Sequence, residues 1–428
     1  NGTATGFGLS FCTTVKTSPF TATANKGFLI NTGSAVTVTL PASPSTGDEL
    51  IIVDQTGQAE TNNITIGRNG SKIKGGCIDA KMEINRGGLR LVYSGSSQGW
   101  ITATSGNDAV QNTAQFITAT GGTILTCGNF KTHVFTSDAN FVVSSIGNAC
   151  GSNKLDYFVV AGGGSAGGYY AGAGAGGFRL ANSNNLSNMS PLATTGLCAS
   201  AQTYPVTVGG GGAANPSAPG YGSYNGNNGS NSVFSTITSA GGGFGAASGP
   251  TQVGGNGGSG GNSAYYRCAC GQGQGNVPPV SPPQGNPAGR SSYATGGGGG
   301  GAGASGSDGT INGSWNPSPI GGGSYQGGAG GIGSYVTDDF FGPTAPSYGT
   351  PGPVSSTRYF AGGGGSGHCS GQSGSAGSGG AGGGADGKPN AGPFGTAQNG
   401  TANTGGGGSG SGGGAGGSGF VAIRYKFQ

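Results

Sequence analysis

The chain has 428 residues, 104 of which are glycine, and only 7% of its residues are charged. Its formal net charge of +4 is too small for this length to indicate a nucleic-acid partner. No apolar stretch approaches the roughly 18 residues that cross a bilayer, so we expect no membrane insertion. A disordered chain usually stays soluble through its charge, and the glycine content therefore does not by itself predict disorder.

The first 105 residues predict a compact β-sandwich-like domain with a role in assembly. Short, β-branched segments recur between turns rich in Gly, Asn, Ser and Pro, a pattern typical of a sandwich or a barrel-like sheet. The predicted strands cover residues 28–30, 35–40, 49–54, 63–66, 89–93 and 99–103. Residues 106–122 are polar and rich in Gly and Thr, and they predict a linker.

A second β region begins after the linker and forms one domain with the rest of the chain, residues 123–428. Its clearest strands are predicted at 132–136, 140–144 and 155–160, and the chain ends on a further alternating strand at 419–426. A flexible tail would not end on such a strand. We therefore expect the C-terminal strand to return to the sheet that begins near residue 132.

The glycines are concentrated in this second domain, because the first 150 residues contain only 20 of the 104. They form the runs 161–176, 209–213, 240–262, 296–309, 321–334, 361–385 and 405–419. A polyproline-II helix needs no internal hydrogen bonds and no side chains, and its backbone polar groups point outward. Only glycine lets such helices approach closely enough to bond on every face, with alanine and serine at outward positions.

The expected fold class is therefore all-β combined with a bundle of packed left-handed polyglycine-II helices, bracketed by β-strands. Flexible linkers are the alternative interpretation of the glycine runs. The scarcity of charge, the C-terminal strand and the aromatic residues between the runs favour the ordered bundle.

The cysteine pattern favours disulfide bonds over a metal site. The spacing Cys-Ala-Cys at 268–270 does not match a zinc site, the chain has only two histidines, and we expect no metal and no cofactor. We expect an extracellular or virion-surface protein, with free cytosolic thiols as the alternative. Cys12 could pair with Cys77, and Cys127 with Cys150. The remaining disulfide candidates are Cys198, Cys268, Cys270 and Cys369.

Aromatic side chains between the glycine runs are the candidate binding residues. Tyrosine and tryptophan give a large contact area at a low entropy cost and are enriched at binding hot spots. The alternative is that these rings pack over the ends of the glycine bundle and cap it. The candidates are Tyr265, Tyr266, Tyr293, Trp315, Tyr335, Phe340, Phe341, Tyr348 and Tyr359.

The strand motifs around the glycine runs resemble those of a known family. Residues 120–136 (TGGTILTCGNFKTHVFT), 155–164 (LDYFVVAGGG) and 416–428 (GGSGFVAIRYKFQ) are similar to the opening and the close of the glycine-rich domain of bacteriophage tail-fibre and related structural proteins. The resemblance covers about 120–428, and residues 28–101 resemble a short β module of phage fibres. It implies an adhesin-like tip, in which polyglycine-II helices pack together and the loops between them contact a host receptor.

These observations predict a non-enzymatic structural and adhesive subunit of an extracellular fibre. Its expected partners are a host-surface receptor or glycan and further copies of itself, in a trimer or a filament. The alternative is a self-assembling subunit of a microbial extracellular filament, in which residues 1–27 pair with the sheet of the next protomer.

Overall fold

The structure is a computed structural model, and the chain divides into two compact units. Unit 1 comprises residues 1–116, 146–153 and 428, and unit 2 comprises residues 117–145 and 154–427. The described residues are 9–103, 115–147, 151–214, 224–247, 252–264, 271–316, 318, 323–368, 373–388, 398–410 and 413–428.

Almost all regular structure in both units is β. Within the described ranges, no helix has the length and apolar character that crossing a bilayer requires. Of the predicted linker, residues 106–114 lie outside the described ranges, whereas Thr118–Thr120 form a strand.

Unit 1 contains all the strands that its sequence predicts, together with three shorter ones. The short, β-branched segments form strands because alternate side chains can enter one core. The strands are β1 Ser10–Phe11, β2 Phe20–Thr21, β3 Lys26–Ile30, β4 Val36–Thr39, β5 Glu49–Asp54, β6 Ile64–Gly67, β7 Ala80–Met82, β8 Gly88–Tyr93 and β9 Trp100–Thr102.

These strands form two sheets around a shared hydrophobic cluster. One sheet has the order β1-β3-β5-β8-β9 and the other the order β2-β4-β6-β7. The pairs among β1, β3 and β5 are parallel, as are those among β2, β4 and β6, and the remaining pairs are antiparallel. Consecutive strands from β1 to β6 therefore alternate between the sheets. The fully buried side chains of Ile52 and Leu91 from one sheet and Val38 and Ile66 from the other belong to the same cluster.

A buried carboxylate fixes the loops at the end of β5. Asp54 accepts hydrogen bonds from the Thr32 hydroxyl at 2.7 Å and from the backbone N–H groups of Gly57, Ala59 and Arg86 at 2.9, 3.2 and 3.0 Å. Burial opposes ionisation of this group, but the hydrogen bonds outweigh it and hold the pKa of Asp54 below its usual value. The charged form is therefore the one that the folded state favours.

Unit 2 is also built from strands, many of them only two to four residues long. The strands are β10 Thr118–Thr120, β11 Thr123–Cys127, β12 Phe130–Phe135, β13 Ala139–Ser145, β14 Lys154–Val160, β15 Phe178–Ala181, β16 Ala193–Thr194, β17 Leu197–Cys198, β18 Thr203–Thr207, β19 Ser232–Phe234, β20 Ile237–Ser239, β21 Thr310–Ile311, β22 Tyr325–Gln326, β23 Ser334–Thr337, β24 Thr357–Phe360, β25 Gly374–Ser375 and β26 Phe420–Lys426. Two 3-10 helices, Asp338–Phe340 and Gly342–Ser347, lie between β23 and β24.

The C-terminal strand occupies the middle of the largest sheet, whose order is β11-β12-β26-β14-β15-β16. β26 pairs antiparallel with both β12 and β14, which confirms the predicted return of the chain. Successive side chains of a strand point to opposite faces. Val421, Ile423 and Tyr425 enter a cluster shared with the sheet β10-β13-β18-β19-β20, whereas Phe420 and Ala422 enter a cluster with the 3-10 helices.

The glycine segments of unit 2 bond to one another through their backbones with a period of three residues. The segment 172–177 is the clearest case. Its N–H groups donate in turn to the segments 297–300, 405–408 and 240–243, and the same three partners recur after three residues. Its carbonyl groups accept from Ala161 and Gly164, from Ser259 and Asn262, and from Gly364. This segment therefore has six neighbouring segments, with N···O distances of 2.8–3.4 Å.

The segment 161–168 has the same period. Gly162, Ser165 and Gly168 donate to the segment 224–230, whereas Gly163 and Ala166 donate to the segment 414–417. Ala161 and Gly164 donate to residues 177 and 174 of the segment 172–177. A strand in a sheet would donate toward two sides only. The three directions distinguish these segments from β-strands.

Close approach of the backbones explains why glycine occupies these positions. A Cβ atom on Gly299 would overlap the carbonyl oxygen of Ala173 in the adjacent segment. Some alanines and serines of the glycine runs do face outward, since Ala213 and Ser307 are exposed. Other alanines occur where a methyl group has space inside the unit, since Ala171, Ala173 and Ala175 are fully buried. Ala175, for example, packs in the cluster that contains Phe178.

Asparagine side chains extend this bonding at one edge of the glycine segments. The Oδ1 atoms of Asn225, Asn228 and Asn231, which are three residues apart, accept hydrogen bonds from the backbone N–H groups of Ala247, Phe244 and Gly241. Each N···O distance is 2.9 Å. The amide side chain thus replaces a backbone carbonyl that does not reach the neighbouring segment.

Candidate functional site

Unit 2 contains a partly open pocket of about 330 Å³ that includes two of the predicted aromatic residues, Tyr335 and Tyr359. The two tyrosines are directly opposite each other on the antiparallel strands β23 and β24. Their ring centroids are 5.2 Å apart, and the ring planes are inclined by 37°. Period-two alternation places both rings on the same face of this hairpin.

The other walls of the pocket come from distant parts of the sequence. The loop before β16 contributes Pro191 and Leu192, and a glycine segment contributes Ile332. Residues 277–287, a segment rich in proline, contribute Pro283. None of the described lining side chains is charged. The pocket is therefore an apolar and aromatic cavity, within the roughly 300–1,000 Å³ range of small-molecule sites.

Three polar side chains at the pocket differ in what they can offer a ligand. The Asn286 Nδ2 group donates to the carbonyl oxygens of Gly301 and Ala302, each at 3.0 Å, and this fixes the amide and leaves its Oδ1 atom as an acceptor. The Ser334 hydroxyl is 2.7 Å from the Ser190 hydroxyl and is already paired. Within the described residues, the Tyr335 hydroxyl has no hydrogen-bond partner.

The two tyrosines differ in burial. Tyr359 is 3% exposed, and burial raises its pKa, a shift that a hydrogen bond to the Val354 backbone opposes and the nearby Tyr335 reinforces. Tyr335 is half-buried. Of the two rings, Tyr335 therefore offers a ligand more exposed surface than Tyr359.

Three of the other predicted binding residues pack in or against one hydrophobic cluster. Phe340 and Phe341 are 0% and 1% exposed, whereas Tyr348 is half-buried. The ring centroids of Tyr348 and Phe341 are 4.9 Å apart, with the planes inclined by 36°. These rings join Phe360 and Phe420 in one cluster. Phe340 and Phe341 therefore have almost no exposed surface that a receptor could contact.

Two further candidates, Tyr293 and Trp315, lie apart from the pocket. Trp315 is half-buried, donates its Nε1–H to the Ser291 carbonyl at 3.0 Å and lies under the Arg290 guanidinium at 4.7 Å. Tyr293 packs against a small cluster with Ile311 and Tyr325. Tyr265 and Tyr266 lie outside the described residues. The structure thus brings two of the nine predicted residues, Tyr335 and Tyr359, together at one pocket.

The cysteines that the structure describes form no disulfide bond with one another. The expected Cys12–Cys77 bond is not present, and Cys127 and Cys198 also carry thiols. Cys198 lies opposite Lys154, whose Nζ is 3.0 Å from its sulfur. The other candidates, Cys150, Cys268, Cys270 and Cys369, lie outside the described residues. In the described part of the chain, no three His, Cys, Asp or Glu side chains are arranged to hold a metal ion.

Sequence reasoning missed the pocket residues outside the aromatic set. Leu192, Asn286 and Ile332 come from three separate segments, and nothing in their local sequence indicates that they meet. The only available signal was the alternation of Tyr335 and Val336 in a β-branched segment, which predicts a strand and hence a tyrosine on one face.

Comparison with known families identifies most of the chain. A family model described as a glycine-rich domain matches residues 136–426. The chain belongs to this glycine-rich domain family. The match begins within unit 2, and both the glycine segments and the pocket of the glycine-rich domain lie inside the matched range. No curated protein matches the chain.

Proposed function

We propose that the chain is a non-enzymatic structural and adhesive subunit of an extracellular fibre, similar to those of bacteriophage tails. In this proposal a rigid glycine scaffold presents loops and the tyrosine pocket to a host-surface receptor or glycan. The observation that carries the proposal is the three-residue period of the hydrogen bonds around segment 172–177. A polyglycine-II helix has about three residues per turn and outward-pointing polar groups, and six neighbours are what hexagonal packing of such helices provides.

Such a scaffold suits the display of a binding surface. Glycine loses more conformational freedom on ordering than any other residue, so a single run would not stay ordered. Each hydrogen bond contributes a net of only about 1 kcal/mol, and many must form together to offset that loss. The glycine segments therefore order as one cooperative body, which holds the intervening loops in fixed positions and lowers their entropy cost on binding.

The rest of the proposal concerns assembly and location. Unit 1 would serve in assembly, with its two sheets packed as a sandwich, and the chain would form a homo-oligomer such as a trimer. A low charge and a backbone held by dense hydrogen bonding suit an extracellular or virion surface. A receptor or glycan would be the partner, without a cofactor.

The test combines particle size with surface binding. Negative-stain electron microscopy and analytical ultracentrifugation of the purified chain should show a discrete closed oligomer or a monomeric tip. The labelled protein should also bind saturably to some members of a panel of bacterial strains and not to others. A monodisperse protein that binds none of the strains, or a far-ultraviolet circular dichroism signal that drifts on heating without a transition, contradicts the proposal.

A filament subunit is the second candidate, because one observation favours it. β1 is an edge strand that pairs only with β3 in the described residues, and Phe11 on it is 45% exposed. An exposed edge strand can accept a strand from another chain. Open head-to-tail filaments in the same micrographs, lost in the variant Phe11→Lys, would favour this candidate over the closed oligomer.

A further inference from the structure

The pocket beside Tyr335 has features that specify the class of ligand it takes. Its described lining carries no charge, so a charged ligand would lose its hydration without gaining an ion pair. Its walls are largely apolar, because Leu192 and Ile332 line the cavity together with the two tyrosine rings. A ligand that fits must therefore be neutral and must present an apolar surface.

The polar groups add a second requirement. The Asn286 Nδ2 group donates to two carbonyl oxygens, which fixes the amide, and within the described residues the Oδ1 atom accepts no hydrogen bond. The Tyr335 hydroxyl can donate or accept. A purely apolar ligand would leave both groups unpaired when it displaced water, and this is costly. The ligand must therefore also carry a hydrogen-bond donor, and hydroxyl groups, which both donate and accept, can pair with both side chains.

We infer that this pocket binds a neutral pyranose ring, with one face of the sugar stacked on Tyr335 and a sugar hydroxyl donating to Asn286 Oδ1. A pyranose combines an apolar face of C–H groups with hydroxyls around its rim. Tyrosine has the matching combination of an apolar ring and a polar tip. Tyr359 and Ile332 complete the apolar wall, and no bond is made or broken. The inference rests on the proposed function, since it names the receptor chemistry for one site of the scaffold.

A proline-rich peptide is the competing ligand, because aromatic-lined grooves also bind such segments. A peptide in extended conformation needs a long groove, whereas this is one pocket of about 330 Å³. A peptide would also bring few hydroxyl donors to Asn286. The sugar therefore satisfies more of the groups that the pocket presents.

The experiment is isothermal titration calorimetry, with saturation-transfer NMR, on the full chain. The probes are the methyl glycosides of glucose, galactose and mannose, together with N-acetylneuraminic acid and a triproline peptide. We expect at least one neutral glycoside to bind and the acidic sugar and the peptide not to bind. Tyr335→Ala should weaken the glycoside at least tenfold, and Tyr335→Phe should weaken it about fivefold, the effect of one hydrogen bond.

Tyr293→Ala is the matched control, because it removes a half-buried tyrosine away from the pocket and should leave the affinity unchanged. The inference is overturned if no neutral glycoside binds, if only the peptide binds, or if Tyr335→Ala binds the glycoside as the wild type does. Circular dichroism must show that each variant is folded. If Tyr335→Ala unfolds, the affinity of Tyr335→Phe for the glycoside serves as the test instead. Surface binding to bacterial strains without glycoside binding would overturn this inference alone, whereas glycoside binding without surface binding would overturn only the proposed function.

Discussion

Asp156 and Arg424 are directly opposite each other on β14 and β26, and both side chains are buried inside unit 2. Arg424 Nη1 is 3.7 Å from Asp156 Oδ2, and the guanidinium also lies 3.6 Å from the centroid of the Phe130 ring. Burial lowers the pKa of Arg424 to about 10, although the Asp156 charge opposes this shift. Burial also raises the pKa of Asp156, although the hydrogen bonds that its carboxylate accepts from Asn184 and Ser183 oppose this shift. Both shifts favour the neutral forms, so the pair recovers only part of its desolvation cost.

Removing one partner of this pair should therefore cost much more stability than replacing both with uncharged residues. Asp156→Asn leaves the Arg424 charge buried without a counter-ion, and we expect the free energy of unfolding to fall by about 3–5 kcal/mol. The double variant Asp156→Asn with Arg424→Met should regain much of this loss. Denaturant unfolding of both single variants and the double variant provides the coupling energy. Additive effects of the two substitutions would contradict the expectation.

The glycine segments make a sharper prediction, because the chain offers its own control. Gly299→Ala would force a methyl group against the Ala173 carbonyl, and we expect a loss of at least about 1–3 kcal/mol, as for overpacking of a core. Gly210 has no atom within 4 Å of the corresponding position. Gly210→Ala should be neutral or stabilising by up to about 1 kcal/mol. Differential scanning calorimetry compares the two, and equal melting temperatures would show that the segments are not packed as described.

The strands of this protein could be predicted from the sequence, whereas the packing of its glycine segments could not. Strands such as β5 and β26 were predictable because their side chains alternate along the sequence, as the two faces of a strand require. The neighbours of segment 172–177 were not predictable, because all the glycine runs have nearly the same composition. Which run lies beside which is decided by the tertiary packing of unit 2. Tyr335 was identified by its residue type. Asn286, 49 positions earlier in the chain, reaches the same pocket through tertiary packing alone.

His133 should make unit 2 sensitive to mild acid. Burial lowers its pKa, the Lys131 charge acts in the same direction, and the hydrogen bond to the Gly121 carbonyl opposes them. A lowered pKa in the folded state means that the unfolded chain binds the proton more tightly. Stability is therefore fully present above the unfolded pKa of about 6.5 and is lost as the pH falls below it. Denaturant unfolding at pH 8 and pH 5 should show this loss, and His133→Gln should flatten the profile between these values. An unchanged slope in the variant would assign the acid sensitivity to another group.

Asp54 should make unit 1 sensitive to stronger acid. Its pKa lies below the ordinary value of 3.8, because four hydrogen bonds to the carboxylate outweigh the effect of burial. The stability that it contributes is present above pH 3.8 and is lost as the pH falls through the folded-state pKa. Asp54→Asn should destabilise unit 1 by about 1.5–3 kcal/mol at pH 7, the value of a hydrogen bond to a charged group. Asp79→Asn, at an exposed carboxylate that accepts one backbone hydrogen bond from Arg68, is the control and should cost less than half as much.

The last prediction separates the aromatic residues that stabilise unit 2 from those that can face a ligand. Phe341 is 1% exposed and contacts the rings of Phe340, Tyr348, Phe360 and Phe420. Phe341→Ala should lower the free energy of unfolding by about 3–5 kcal/mol, because it removes a buried ring and leaves a cavity. Tyr335→Phe keeps the ring and removes only a hydroxyl that no described group pairs with, so it should change stability by less than about 0.5 kcal/mol. Chemical denaturation monitored by circular dichroism measures both, and a large loss in Tyr335→Phe would mean that this hydroxyl serves the fold and not a ligand.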